Sequence, residues 1–315
     1  MLLKKLVEIE SPSGKEYKLK KFIFEYLENL GYTVLESEYF LVANPKKDLI
    51  VATHIDTLDI KVPFKFDGVY AYGAGVCDAK ASVAAMLEAA EEGVNYTLAF
   101  FCDEEEGGKG SKSFVDSWKW GKMAIVMEPT NLKVASTHFG SMDVDVEVKG
   151  KAAHASLPEY GVNAVEKVCE LLKELKEALK VTPLKIEGGG DEYVIPDICR
   201  LKLDVLIPPE VSLDEVLKKL EVIKKYGDFK ISDAYEGFKS GKVVEILEKA
   251  LRLCGISVEH CCMPSWTDAL NLRDKFDVVV WGPGELHLCH TRFERVKLED
   301  IEKAKNVLIK LNEVV

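Results

Sequence analysis

The 315-residue sequence predicts an α/β protein: a buried, largely parallel sheet with helices on both faces, interrupted by a small α+β domain of ferredoxin-like order. Two observations predict it. Short, almost wholly apolar runs recur between helix-forming stretches, which is the pattern of strands covered on both faces. After Gly140 that pattern gives way to strict alternation, the mark of strands with one solvated face. The α/β part is expected over residues 1–139 and 237–315, and the inserted domain over 140–236.

Taken in order, residues 2–31 read as a helix, a break at Ser11-Pro12-Ser13-Gly14 and a second amphipathic helix closed by Gly31. Strands follow at Tyr32–Glu36, Phe40–Ala43 and Asp48–Thr53, the last leading into His54-Ile-Asp56. An irregular segment rich in Pro, Gly and aromatics ends at Tyr72-Gly-Ala-Gly-Val-Cys-Asp78, and the Ala-rich stretch Ala79–Glu92 is helical by propensity. Tyr96–Cys102 is a buried strand that stops at four consecutive acids, Asp103 to Glu106. A helix near Ser111–Trp118 and a strand at Met123–Met127 complete the first part. In the insertion, Met142–Val148 alternates, with Asp143, Asp145 and Glu147 polar. A helix over Val162–Leu179, strands at Thr182–Ile186 and Tyr193–Ile207, a helix from Ser212 to Tyr226 and a strand at Phe229–Ser232 follow. Helix Lys242–Cys254, strand Asp277–Trp281 and helix Leu298–Leu311 then resume the α/β pattern.

Composition narrows the function. No apolar run approaches the roughly 20 residues that span a bilayer. Met1-Leu-Leu-Lys-Lys enters a helix without a signal-peptide core, so the expected location is the cytoplasm. A net charge of -11 argues against nucleic acid and anionic membranes as partners. Gln is absent while Lys and Glu abound, a hyperthermophile-like composition. The eight cysteines contain no CxxC, which argues against a zinc ribbon; adjacent Cys261 and Cys262 are the pair to inspect for a disulfide.

The chemistry collects where strands and crossovers end. His54 and Asp56, then Asp78, then Glu104 and Glu105, then Glu128 recur at intervals of roughly 25 residues, the length of a strand-crossover-strand unit. That spacing brings them to one edge of an open sheet, where such folds bind ligands, and the strand before His290 delivers another imidazole there. Four adjacent acids are by themselves most simply a solvated loop, because carboxylates repel one another. Set among histidines and acids of equal spacing, they become candidates for a multivalent cation. Imidazole with carboxylate suits zinc, or cobalt and manganese less selectively, and the donors suffice for two ions. Asp56, two residues beyond His54, is placed to orient its ring. His138, His260 and His287 are read as ordinary surface or structural histidines.

Six short motifs in order resemble the co-catalytic zinc aminoacylase and carboxypeptidase family, which includes acetylornithine deacetylase and succinyl-diaminopimelate desuccinylase. They are Thr53-His54-Ile-Asp56-Thr57, Gly75-Val-Cys-Asp78-Ala-Lys80, Asp103-Glu104-Glu105-Glu106-Gly107, Met127-Glu128-Pro129, Gly150-Lys-Ala-Ala-His154 and Cys289-His290. The resemblance implies a zinc-peptidase-like mixed sheet with an inserted lid domain, and two zinc ions for which cobalt can substitute. It implies that Asp78 bridges the ions, that His54 and Glu128 complete one coordination sphere, and that Glu105 and His290 complete the other. Glu104 is then the general base, and His154, from the lid, stabilises the oxyanion, in dimeric relatives across the subunit interface. A homodimer through the lid is expected.

Three positions depart from the family pattern: Tyr193, Leu206 where many relatives carry a substrate-binding Arg, and Thr291-Arg-Phe-Glu294 after the last ligand. They bear on substrate. The compact lid and the composition are most similar to hydrolases that release lysine or ornithine from the terminal glutamate of a small acidic amino-group carrier protein. Asp191, Glu192 or Glu285 is then expected to meet the cationic product, and Lys109, Lys112 and Lys122 the acidic carrier. The competing substrates are N-acetylornithine, N-succinyl-diaminopimelate or a dipeptide.

Overall fold

The computed structural model describes residues 1–315, which form two compact units. The first comprises Met1–Thr137, Lys239–Met263 and Thr267–Val315, and the second His138–Phe238 with Pro264–Trp266. Pro264–Trp266 belongs to the second unit, where Trp266 packs edge-on against Tyr235.

A nine-stranded mixed sheet organises the first unit. At its centre Thr97–Phe101, Leu49–His54, Met123–Val126 and Asp277–Val280 lie side by side and parallel. Phe40–Ala43 and Val34–Glu36 extend one side antiparallel. Every residue of Leu49–His54 and Thr97–Phe101 is buried, which is why these strands read as unbroken apolar runs. Neighbouring side chains face opposite layers. Phe100 joins the cluster containing the alanines of helix Lys80–Glu91 and the inner residues of helix Leu298–Leu311. Phe101 packs on Phe114 of helix Lys109–Ser117, which stacks in turn on Trp118 and Phe276. Helices therefore cover both faces. In the segment that the sequence presents as irregular, Lys65–Phe66 and Tyr70–Tyr72 form a separate sheet, joined by Arg295–Lys297 from near the end of the chain.

The second unit is a four-stranded antiparallel sheet in the order Lys180–Gly188, Ile198–Ile207, Gly140–Lys149, Gly227–Tyr235. With helices Ala164–Ala178 and Leu213–Leu220, this is the expected β-α-β-β-α-β arrangement. Met142, Val144, Val146 and Val148 point into its core, while Asp143, Asp145 and Glu147 stand on the other face. Side chains cap both helices, Asn163 accepting from Val165 N–H and Ser212 from Glu215 N–H. The strand expected from Tyr193 starts only at Ile198, after Pro196, whose missing N–H cannot serve a ladder. The helix expected to Tyr226 tightens into a 3₁₀ turn at Glu221–Lys225.

Candidate metal centre

Four parallel strands deliver the donors to one edge of the sheet. His54 ends its strand and pairs in register with Phe101, so the acids after Phe101 emerge beside it. Glu128 follows Met123–Val126, and His290 lies in the segment after Asp277–Val280. Asp78 stands just before helix Lys80–Glu91, next to a cis Asp78–Ala79 peptide.

Asp78 faces both histidines. Its Oδ1 lies 2.9 Å from His54 Nε2 and its Oδ2 3.4 Å from His290 Nε2. Glu105 Oε2 reaches His290 Nε2 at 2.8 Å, and Glu128 Oε2 is 3.8 Å from His54 Nε2. Two donor groups share Asp78: His54, Asp78 and Glu128, and Asp78, Glu105 and His290, the ligand atoms of each lying within 4.8 Å of one another. Glu104 groups with His54 and Glu105.

Asp56 does more than the sequence suggested. Besides contacting His54 Nδ1 at 3.5 Å, its carboxylate accepts the N–H groups of Glu104 and Glu105, each at 3.0 Å, and the Ser13 hydroxyl at 2.7 Å. Burial alone would raise its pKa, but the bonds from His54, Ser13 and the Glu105 N–H outweigh that and hold it below the ordinary value. Asp56 thus fixes the His54 ring and the backbone of the acid loop together. Of the remaining acids in the run, Asp103 turns aside at a φ of 63° to pair with Lys109 at 3.0 Å, and Glu106 is exposed.

The cluster is short of positive charge. Burial pushes Glu104, Glu105 and Glu128 upward in pKa, and neighbouring acids add to it. Hydrogen bonds that the His290 ring donates to Asp78 and Glu105 hold it up at about 10. Glu128 Oε1 has no hydrogen-bond partner although buried. Asp268 has none on either oxygen; fully buried, it is pushed up to about 7, first by desolvation. Orphaned buried carboxylates are costly, and divalent cations among them remove that cost. The donor chemistry of imidazole and carboxylate therefore fits zinc-type ions. Asp268 was not anticipated, because nothing local in Trp266-Thr-Asp-Ala-Leu270 marks the acid as buried.

The other candidates are not members of these donor groups. His154 belongs to the second unit, where its exposed ring accepts the Ser156 N–H on Nδ1 at 3.2 Å. Asp191, Glu192 and Leu206 are also in that unit, Leu206 on the strand face opposite its core. Glu285 contacts His287 at 3.7 Å, and His260 contacts Glu248 at 3.2 Å. His138 is buried and stacks on Phe238. All eight cysteines are free, Cys261 and Cys262 included; the sulfurs in contact are Cys77 and Cys289, 3.4 Å apart.

Residues 50–313 match the model described as peptidase family M20/M25/M40. The chain is 28% identical over 318 residues to a LysW-lysine/LysW-ornithine hydrolase of Sulfurisphaera tokodaii, covering 95% of this chain and 90% of the relative. It is 27% identical over 308 residues to an acetylornithine deacetylase of Buchnera aphidicola, covering 84% and 79%. The crystal structure of a tripeptidase from Staphylococcus aureus superposes with a TM-score of 0.84 at 21% identity, over 99% of this chain and 96% of that one, a likeness of fold.

Proposed function

The chain belongs to the M20/M25/M40 peptidase family and is a metal-dependent hydrolase, and from that premise we propose that it releases lysine or ornithine from an amino-group carrier protein by cleaving the amide to the carrier's terminal glutamate. The observation that carries this reading is the likeness to the LysW-lysine/LysW-ornithine hydrolase along nearly the whole of both chains. In this reading His54, Asp78 and Glu128 hold one zinc ion and Asp78, Glu105 and His290 a second, and cobalt substitutes. When bound there, such ions would supply Lewis-acid polarisation of the amide carbonyl and a lowered pKa, towards about 7, for the attacking water.

The rest falls to side chains. Glu104, which stands beside His54 and Glu105 but in neither donor group that shares Asp78, is suited to take the proton from the attacking water and return it to the leaving amine. Asp56 keeps His54 oriented and holds Glu104 and Glu105 at fixed backbone positions. His154 accepts on Nδ1, so its neutral ring carries the proton on Nε2, the tautomer that donates to a developing oxyanion. The edge strand Lys180–Gly188 exposes Leu184 and Ile186, which supports a homodimer through the inserted domain.

A second reading, deacylation of a free N-acylated diamino acid, draws on the likeness to acetylornithine deacetylase. Measuring kcat/KM for carrier-linked lysine, carrier-linked ornithine and N-acetylornithine decides between them. Preference for a carrier-linked substrate is expected, and preference for the free acetylated compound overturns the carrier reading while leaving the metal site intact.

A further inference from the structure

The segment after His290 was singled out in the sequence for its unusual Thr291-Arg-Phe-Glu294 run, and the reaction described above makes no use of it. Its last residue is built into the centre. Glu294 is 4% exposed, and its carboxylate accepts three backbone N–H groups of the loop that presents Asp78. Oε2 takes the N–H of Gly75 at 2.9 Å, and Oε1 takes those of Cys77 at 2.8 Å and of Asp78 itself at 3.0 Å.

The geometry points to Glu294 as a positioning residue for the metal centre, one that locks the Asp78 loop to the segment bearing His290. Asp78 faces a histidine with each oxygen, so its backbone must stay fixed with respect to both. The backbone of His54 is held in a buried core strand. His290 has a positive φ, a half-exposed ring and no regular element of its own. Just beyond Glu294, Arg295–Lys297 pairs antiparallel with Tyr70–Tyr72, the strand that leads into the Asp78 loop. That ladder brings the two segments together, and the carboxylate fastens them at the point where the ladder ends. A carboxyl group that accepts three N–H groups is a more directional tie than apolar packing. The Cys77–Cys289 contact crosses the same seam without such a bond to the Asp78 backbone. This inference rests on the metal-hydrolase reading of the site.

The test is cobalt binding by Glu294→Ala and Glu294→Gln in the full chain, read as affinity, stoichiometry and the visible Co(II) spectrum. Circular dichroism checks the fold. Loss of the tie is expected to weaken cobalt binding about tenfold or more in Glu294→Ala, as for other groups that orient ligands, and to alter the spectrum. Glu294→Gln is expected to fall between, since its amide oxygen still accepts from Cys77 and Asp78 while its NH2 leaves the Gly75 N–H unpaired. Its kcat should drop more than its KM changes. Should Glu294→Ala fail to fold, Glu294→Gln carries the test through the same three readouts. Wild-type cobalt affinity and an unchanged spectrum in the folded variants, with only a lower Tm, overturn the inference and leave the metal reading standing. Failure of the wild-type chain itself to bind cobalt overturns both.

Discussion

Glu104 and Glu105 are neighbours in the chain with the same side chain, yet the donor groups divide them. Glu105 contacts His290 at 2.8 Å and shares a group with Asp78, whereas Glu104 groups only with His54 and Glu105. Glu104→Gln should therefore keep the metals and lower kcat by about two to four orders of magnitude, the usual worth of a positioned base. Glu105→Gln should instead lose metal. Metal analysis beside steady-state kinetics checks both, and an empty Glu104→Gln with a full Glu105→Gln would reverse the assignment. Asp268 permits a prediction in pH. Its folded pKa is raised from 3.8 to about 7, so the fold holds its proton more tightly than the unfolded chain does. Above the unfolded value the folded state must give up that proton at a cost, so stability contributed by Asp268 declines as pH rises through that window. Chelated protein should accordingly lose Tm between about pH 4 and about pH 7, and Asp268→Asn should flatten that slope. An unchanged slope in the chelated variant would refute this. The sequence pointed to the candidate donors because His54, Asp78, Glu104, Glu105 and Glu128 follow strands or a crossover at regular intervals. It could not reveal Asp268, nor the bonds that Asp56 accepts from the N–H groups of Glu104 and Glu105, since those contacts join loops that only the folded register of neighbouring strands brings together.

At the level of elements, helix Lys80–Glu91 was legible from its alanines, though for a reason other than propensity. Almost its whole surface is buried, and Ala81, Ala84, Ala85 and Ala89 let it approach the sheet and helix Leu298–Leu311 closely. Filling that contact should be costly. Ala85→Leu is expected to destabilise by about 1–3 kcal/mol through overpacking, seen as a lower denaturation midpoint, with metal affinity following if the Asp78 loop at its start is disturbed. A neutral midpoint would mean that the helix has slack the packing does not suggest. Elements that bury one face or both declared themselves in period and composition. The small sheet of Lys65–Phe66, Tyr70–Tyr72 and Arg295–Lys297 did not, because its short strands are partly exposed and its partners lie far apart in the chain. Nor did the sequence show that Asp103 would leave the acid cluster. Its positive φ and its pairing with Lys109 are set by the turn that carries Glu104 and Glu105 towards the histidines.

For the whole molecule, the charge balance bears on the carrier as substrate. The chain carries a net charge of -11, and an acidic carrier would meet a repulsive field at long range. The local basic groups expected to offset it are weaker than their sequence positions suggest. Lys109 is committed to Asp103, which leaves exposed Lys112 and Lys122 as the free cations of that set. Repulsion between separated surface charges is screened over about 10 Å at 0.1 M salt, whereas the buried donors around Asp78 are screened far less. The kcat/KM for carrier-linked lysine should therefore rise as salt is added from low ionic strength, mainly through faster association. For N-acetylornithine, which is small and carries little net charge, kcat/KM should stay nearly flat over the same range. Lys112→Glu with Lys122→Glu should steepen the rise for the carrier and leave the small substrate unaffected. A fall of the carrier's kcat/KM with salt would instead mean that a basic surface elsewhere on the chain receives it, and the field argument would be wrong in sign.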